Sequence, residues 1–202
     1  MSTVERVEQF VRRGLLRGDY APGDWLRQDD LAAELGISKI PVREALQRLA
    51  AASLVTFEPN RGAMVRPLDA ADAEEIFALR RVVEPDLLQR AMGRHTIVDL
   101  ATAELALTTD SHTLTETNWL FHRALYVPAG WPRALAMVET LHAAVAPYVL
   151  LYSEGIGGGG RSAAEHHDLL EACRAGDARA AGRILRVHMR AAADALAAYL
   201  AG

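Results

Sequence analysis

Gly36-Ile37-Ser38-Lys39-Ile40-Pro41-Val42-Arg43-Glu44-Ala45-Leu46-Gln47-Arg48-Leu49 is the stretch whose reading decides the fold. Gly36 can close a preceding helix in a left-handed conformation. Ser38 is a good N-cap, and Pro41 suits a first turn, where backbone N–H groups lack helical partners. Val42, Ala45, Leu46 and Leu49 recur at helical spacing and give one apolar face. Lys39, Arg43 and Arg48 lie off that face. A short capped helix with cations on its free side fits the major groove of DNA. An ordinary amphipathic surface helix carries the same pattern, so the neighbours must decide.

Upstream, Val4, Val7, Val11 and Leu15 mark one face of a first helix, with Phe10 beside it, and Gly18 stops it. Asp19, Tyr20, Ala21, Pro22, Gly23 and Asp24 are turn chemistry. A second helix is expected from about Asp29 to Leu35, with Leu31, Ala32 and Leu35 inward. Only Gly36-Ile37 separates it from the next helix, which makes a helix-turn-helix. Downstream, Leu54-Val55-Thr56-Phe57 and Ala63-Met64-Val65-Arg66 are short extended runs turned by Pro59-Asn60-Arg61-Gly62. Three helices and a β-hairpin make a winged helix over residues 1–68.

The totals agree. The chain has 202 residues, half of them apolar, and a net charge of -4. Residues 1–68 hold ten Lys/Arg against nine Asp/Glu, and the remainder twelve against seventeen. A nucleic-acid surface must therefore be a local patch in the first part. Cys173 is the only cysteine, which precludes an intrachain disulfide. No apolar run is long enough to span a bilayer, and the expectation is a soluble cytoplasmic protein with no membrane partner.

Residues 69–202 read as helices throughout. Pro67-Leu68-Asp69-Ala70-Ala71-Asp72 is the expected linker and cap. Ile76, Leu79, Val83 and Leu87 form a stripe on the first helix, with Arg80 and Glu84 adjacent. Further helices are expected within 97–108, over 114–127, over 133–153 with a kink at Pro147, and over 162–175 and 178–200. Thr109, Asp110, Ser111 and His112 read as a loop, and the Gly-rich residues 155–160 as another.

Asn118 and His122 are four residues apart and share a helix face. His166 lies about ten residues before the Gly176-Asp177 turn and His188 about eleven after it, so antiparallel helices bring them to nearly the same height. Three imidazoles and an amide oxygen can thus converge on a divalent ion, with Zn and Ni the first candidates. A chance pattern is the competing reading, since the chain has seven His. His95, His112, His142 and His167 read as structural or exposed.

The spaced motifs resemble those of bacterial GntR-type transcription regulators. Arg17-Gly18-Asp19-Tyr20-Ala21-Pro22-Gly23-Asp24-Trp25-Leu26 resembles their opening. Leu31-Ala32-Ala33-Glu34-Leu35-Gly36-Ile37-Ser38 and the run from Pro41 to Leu49 resemble their helix-turn-helix, and Asn60-Arg61-Gly62-Ala63-Met64-Val65 their wing. The resemblance implies DNA contacts at Ser38, Lys39, Ile40 and Arg43, and at Arg61 and Gly62 of the wing. Arg48 joins them as a cation on the free side. Where the family usually carries Ser-Arg-Thr-Pro, this chain has Ser38-Lys39-Ile40-Pro41. Lys cannot form the fork of Arg on guanine, and Ile40 can touch a thymine methyl. For each cation, phosphate positioning competes with base readout.

The helical half resembles the FCD ligand domain of the FadR subgroup, on Leu79-Arg80 with Glu84, the run from Asn118 to Tyr126, Glu165-His166, Ala175-Gly176-Asp177 and His188. The resemblance implies a divalent metal held by Asn118, His122, His166 and His188, with a small carboxylate effector completing its coordination. Asn118 stands where Asp is frequent and binds more weakly. Arg80 is the candidate partner of the effector carboxylate; a structural ion pair with Glu84 is the alternative. The expected whole is a mainly α protein, a winged helix-turn-helix at 1–68 followed by an all-helical FCD-like bundle at 69–202. Its expected function is that of a homodimeric, effector-controlled repressor binding double-stranded operator DNA. A metal-dependent hydrolase, with Glu165 or Asp168 beside His166, is an alternative. So is a DNA-binding protein whose helical half only dimerises.

Overall fold

The computed structural model describes residues 1–59, 61–108, 113–155 and 159–201. The readings at Asn60, at the loop 109–112 including His112, and at 156–158 of the Gly-rich segment lie outside the described residues.

Helix α1 (Thr3–Arg17) starts in a full capping box: Ser2 Oγ accepts from the Glu5 N–H, and Glu5 accepts from the Ser2 N–H. It ends at Gly18 in the left-handed region. Helix α2 (Gln28–Leu35) ends at Gly36, also left-handed, and α3 (Lys39–Ala51) follows at once. Ser38 has the extended backbone of an N-cap, but its side chain makes no capping hydrogen bond. Val42, Ala45, Leu46 and Leu49 are fully buried, as the spacing predicts.

Strands β2 (Val55–Glu58) and β3 (Gly62–Val65) form the wing, pairing antiparallel with Val55 opposite Val65 and Glu58 opposite Gly62. A third strand, β1 (Trp25–Leu26), pairs with the other edge of β3, giving the order β1-β3-β2. The sequence predicts only a hairpin here. Two residues carry too little periodicity to read as a strand, and the partner edge of β3 creates this one.

Gly62 is buried rather than displayed at the wing tip. Its φ is +122°, and a Cβ would collide with the Leu26 carbonyl oxygen. Its position is fixed by the close approach of β1 to β3, a structural reason for glycine that competes with the DNA contact expected for it. Gly62→Ala is expected to cost about 1–3 kcal/mol of stability, read from urea denaturation. An unchanged midpoint would show that the wing can re-form without this contact.

The helical half comprises α4 (Ala70–Ala91), α5 (Ile97–Thr108), α6 (Leu114–Tyr126), a 3-10 turn (Val127–Ala129), α7 (Pro132–Gly155), α8 (Gly159–Arg174) and α9 (Ala178–Ala201). Asp69 and Asp72 cap α4 reciprocally, and Asp177 caps α9 after the left-handed Gly176. The inward face of α4 is rotated from the expected stripe. Ala73, Phe77, Arg80, Glu84, Leu87, Leu88 and Ala91 are buried, whereas Leu79 is 43% exposed. An ion pair occupies interior positions, so the aliphatic count misplaces the face.

The winged part is not a free bead. Its buried core is continuous with that of the helical part. Arg12 of α1 donates to Thr140 Oγ1 of α7 at 2.9 Å, and Arg66 pairs with Asp72 at 2.7 Å. The linker is held as well: the Leu68 N–H donates to the Tyr148 hydroxyl at 2.6 Å, within a cluster that includes Phe77 and Leu196.

Candidate functional site

Two sites emerge, one on the surface and one buried. On the surface, Ser38, Lys39, Ile40, Arg43, Arg48 and Arg61 are all exposed. Ile40 is 79% exposed on the free side of α3. A groove lined by Trp25, Arg27, Asp29, Lys39 and Arg61 runs between the wing and the start of α3. Lys39 pairs with Asp29 at 2.5 Å, Arg48 with Glu44 at 2.8 Å and Arg61 with Glu58 at 3.5 Å. Among the described residues, Arg43 alone of the four candidate cations has no acidic partner. These exposed pairs are weak and can be exchanged for phosphate.

Inside the helical half, His122, His166 and His188 converge. One ring nitrogen from each lies within 4.8 Å of the others, and all three residues are buried. Ring centroids are 5.0 Å apart for His122 and His166, and 4.6 Å for His166 and His188. The Gly176-Asp177 turn produces the second juxtaposition, because it folds α9 back along α8. Asn118 is half-buried and lines a small cavity of about 40 Å³ together with Phe77, Arg80, Glu165 and His188. That volume holds an ion with a few waters and is far below the few hundred Å³ of a typical metabolite pocket.

Around the cluster lies a buried polar network that the sequence reading did not assemble. Arg80 Nε donates to Glu84 Oε1 at 2.6 Å, and a terminal nitrogen of Arg80 donates to His142 Nε2 at 3.0 Å. The guanidinium also lies 4.9 Å from the Phe77 ring centroid. The ion pair weighed against effector binding is therefore formed, while Arg80 still lines the cavity. The Tyr126 hydroxyl donates to Glu84 Oε2 at 2.7 Å and lies 3.3 Å from His122 Nδ1. His188 Nδ1 lies 2.9 Å from Glu165 Oε2, and Arg161 Nε donates to Glu165 Oε1 at 2.7 Å.

Electrostatics follow from burial. Desolvation holds His122 and His166 well below the usual imidazole pKa, and neighbouring cationic or ring groups add to it. His142 is lowered to about 4 by burial and then by Arg80. Burial alone would raise Glu84, but Arg80 and His142 outweigh it and keep the carboxyl well below the ordinary range. Glu165 is drawn down to about 2, first by the hydrogen bond from His188. Burial pushes the Cys173 thiol up to about 12, and it takes no part in the His cluster.

An acid titration should register this burial. The unfolded chain takes up protons on these imidazoles near the usual 6.5, whereas folded His142 does so only near 4. Below 6.5 the unfolded state binds more protons, so stability falls with pH. The metal-free protein is expected to lose stability progressively from about pH 6.5 to about pH 4, read from urea midpoints. A flat profile over that window would mean the imidazoles are solvated.

Of the histidines expected to be structural or exposed, His142 is structural: it is buried beside the cluster, 5.4 Å from the His122 ring centroid. No spacing signal relates it to the other three. Tyr126, one turn after His122, and Glu84, one turn after Arg80, were legible as helix-face pairs. His95 is half-buried, with Nε2 3.0 Å from the Leu125 carbonyl oxygen, and His167 is exposed.

Residues 3–65 match the bacterial regulatory proteins of the gntR family, and residues 75–191 match the FCD domain. The chain belongs to the GntR family. This GntR protein is thus a DNA-binding transcription regulator with an FCD domain, and its named relatives are regulators rather than enzymes. It is similar to the solved structure of Escherichia coli McbR/YncC, with 26% identity, 97% of each chain covered and a TM-score of 0.85. A putative GntR regulator from Rhodococcus sp. RHA1 matches at 26% identity and a TM-score of 0.77, with 97% of this chain and 98% of that one covered. In sequence, the gluconate operon transcriptional repressor of Bacillus licheniformis is 35% identical over 101 residues. That match spans 50% of this chain and 41% of the relative, and the match to the Nta operon regulator of Aminobacter aminovorans covers 39% of its length. Among the described residues, no helix is long and apolar enough to cross a membrane.

Proposed function

We propose that this GntR regulator is a homodimeric repressor whose grip on operator DNA is set by a small carboxylate bound with a divalent metal ion in the FCD domain. Residues 1–68 form the reading head, and 69–202 form the sensing and pairing part. The observation that carries the reading is the trio His122, His166 and His188. Their imidazoles are buried and within reach of one ion, and among the described residues His122 Nε2 and His166 Nε2 have no hydrogen-bond partner. Buried polar atoms are normally satisfied, and neutral imidazole nitrogens suit Zn or Ni. Asn118, on the wall of the adjoining cavity, supplies the fourth donor.

The cavity beside the trio limits the effector to a compact acid unless the helices part. The ion supplies the positive charge that draws a carboxylate, and Arg80 assists from the wall. The repressor assignment draws on the Bacillus licheniformis relative. Val82, 70% exposed on α4 near the exposed Leu79, gives a second copy an apolar surface to cover.

At the DNA face, Arg43 reads the base, with Lys39 and Ile40 setting the preference beside it. Ser38, Arg48 and Arg61 position the backbone. Arg43→Ala is expected to weaken operator binding by about 1–3 kcal/mol and relax sequence preference. Binding to the region upstream of the protein's own gene checks this, and unchanged affinity would remove Arg43 from the reading set. The same assay, titrated with small carboxylates with and without a chelator, tests the proposal. Release of DNA by one acid, lost on chelation, is the expected result. Purified protein without a divalent ion, unresponsive to every acid, would leave the helical half as a dimerisation unit.

A further inference from the structure

We propose that Tyr126 and Glu165 are positioning residues that fix His122 and His188 in the Nδ1–H tautomer, leaving each Nε2 bare as the ligand atom. The inference rests on the metal reading for its purpose, but its geometry stands without it.

Glu84 decides the first half. Its carboxylate can only accept, and its Oε2 lies 2.7 Å from the Tyr126 oxygen. Tyr126 has one proton, and that proton goes to Glu84. The phenol oxygen then faces His122 Nδ1, 3.3 Å away, as an acceptor. His122 Nδ1 must therefore carry the hydrogen. A neutral imidazole has one N–H, so His122 Nε2 is bare, and this is the atom that finds no partner among the described residues.

Glu165 decides the second half. Its Oε1 receives Arg161 Nε, and its Oε2 lies 2.9 Å from His188 Nδ1. In the neutral ring an acceptor opposite Nδ1 again places the hydrogen there and leaves Nε2 with the lone pair. The two devices come from different helices: Tyr126 sits one turn along α6 from its histidine, whereas Glu165 reaches from α8 to α9. Ligating imidazoles are commonly oriented by such carboxylate and hydroxyl partners, whose loss weakens metal affinity about 10–100-fold. Glu84 acts one step further back, through Tyr126, and ties the orientation of His122 to Arg80 and His142 on α4 and α7.

The test uses the full chain, labelled with 15N and freed of metal. Long-range 1H–15N imidazole spectra near neutral pH are expected to show both His122 and His188 as Nδ1–H tautomers. Tyr126→Phe, which keeps the ring, is expected to release His122 into a tautomer mixture while leaving His188 as it was. Glu165→Ala does the converse, and Glu165→Gln, which retains an acceptor, restores His188. Co2+ affinity measured by chelator competition follows the same order, falling about 10–100-fold in Tyr126→Phe and Glu165→Ala and less in Glu165→Gln. An Nε2–H tautomer at either residue in the wild-type protein overturns the inference. So does wild-type tautomer and affinity in both Tyr126→Phe and Glu165→Ala. Correct tautomers in a protein that takes up no Co2+ support the positioning and overturn the metal reading alone.

Discussion

Glu84→Gln is expected to lower the unfolding free energy by about 3–5 kcal/mol, the usual cost of removing one partner from a buried ion pair. Glu84 is fully buried and Arg80 is 4% exposed. The substitution preserves shape and leaves an acceptor for Tyr126. It removes the charge that balances the guanidinium, which cannot shed its proton. Arg80 is then a cation in the interior, with His142 and the Phe77 ring as its remaining neighbours. Urea denaturation of the metal-free protein at neutral pH reads the loss. A double variant, Arg80→Met with Glu84→Leu, is expected to lose less than the two single changes summed, because neither charge is then stranded. A Glu84→Gln protein within about 0.5 kcal/mol of wild type would mean that water reaches the pair, and the network would lose its claim to organise the site.

The second large effect is linkage between metal and fold. Zn2+ at a thousandfold excess over its Kd should add about 4 kcal/mol to the unfolding free energy, because the ion binds the assembled trio and not the open chain. Residues contributing to the trio lie on α6, α8 and α9, so the ion would tie three helices together. The added stability should vanish with chelator and be absent in His122→Ala. A wild-type protein with the same denaturation curve in Zn2+, Ni2+ and chelator would contradict the metal reading. Burial supports the linkage from the other side: His122 and His166 are already neutral, so binding need not displace protons from them near neutrality.

Much of the scaffold was legible in the sequence because its signals are local. Gly18 and Gly36 end helices in the left-handed region, where only a residue without Cβ sits at ease. Val42, Ala45, Leu46 and Leu49 fill the core because their spacing matches the helical period. The His166 and His188 pair followed from counting rise per residue on either side of Gly176-Asp177, and their rings lie 4.6 Å apart. A tight turn makes such counting dependable, since little chain separates the two helices. On α4 aliphatic periodicity points to the wrong face. The interior positions there are Arg80 and Glu84, and a search for aliphatic periodicity passes over them.

By itself, then, the sequence determined which segments are helical, the buried face of α3 and the nearness of His166 to His188, since caps, turns and helical periods act within a few residues; the ends of α7 and α8, which take in Gly155 and Gly159 of the expected Gly-rich loop, it did not. Only the tertiary structure decided what surrounds those histidines. The α4–α6–α7 packing set His142 against Arg80 and Tyr126 against Glu84. Contact between α8 and α9 gave His188 its Glu165 partner. Pairing with β3 made a strand of Trp25-Leu26 and required glycine at position 62. In each case the partner lies on another element, and a side chain's hydrogen bonds and solvation depend on neighbours that no local period specifies.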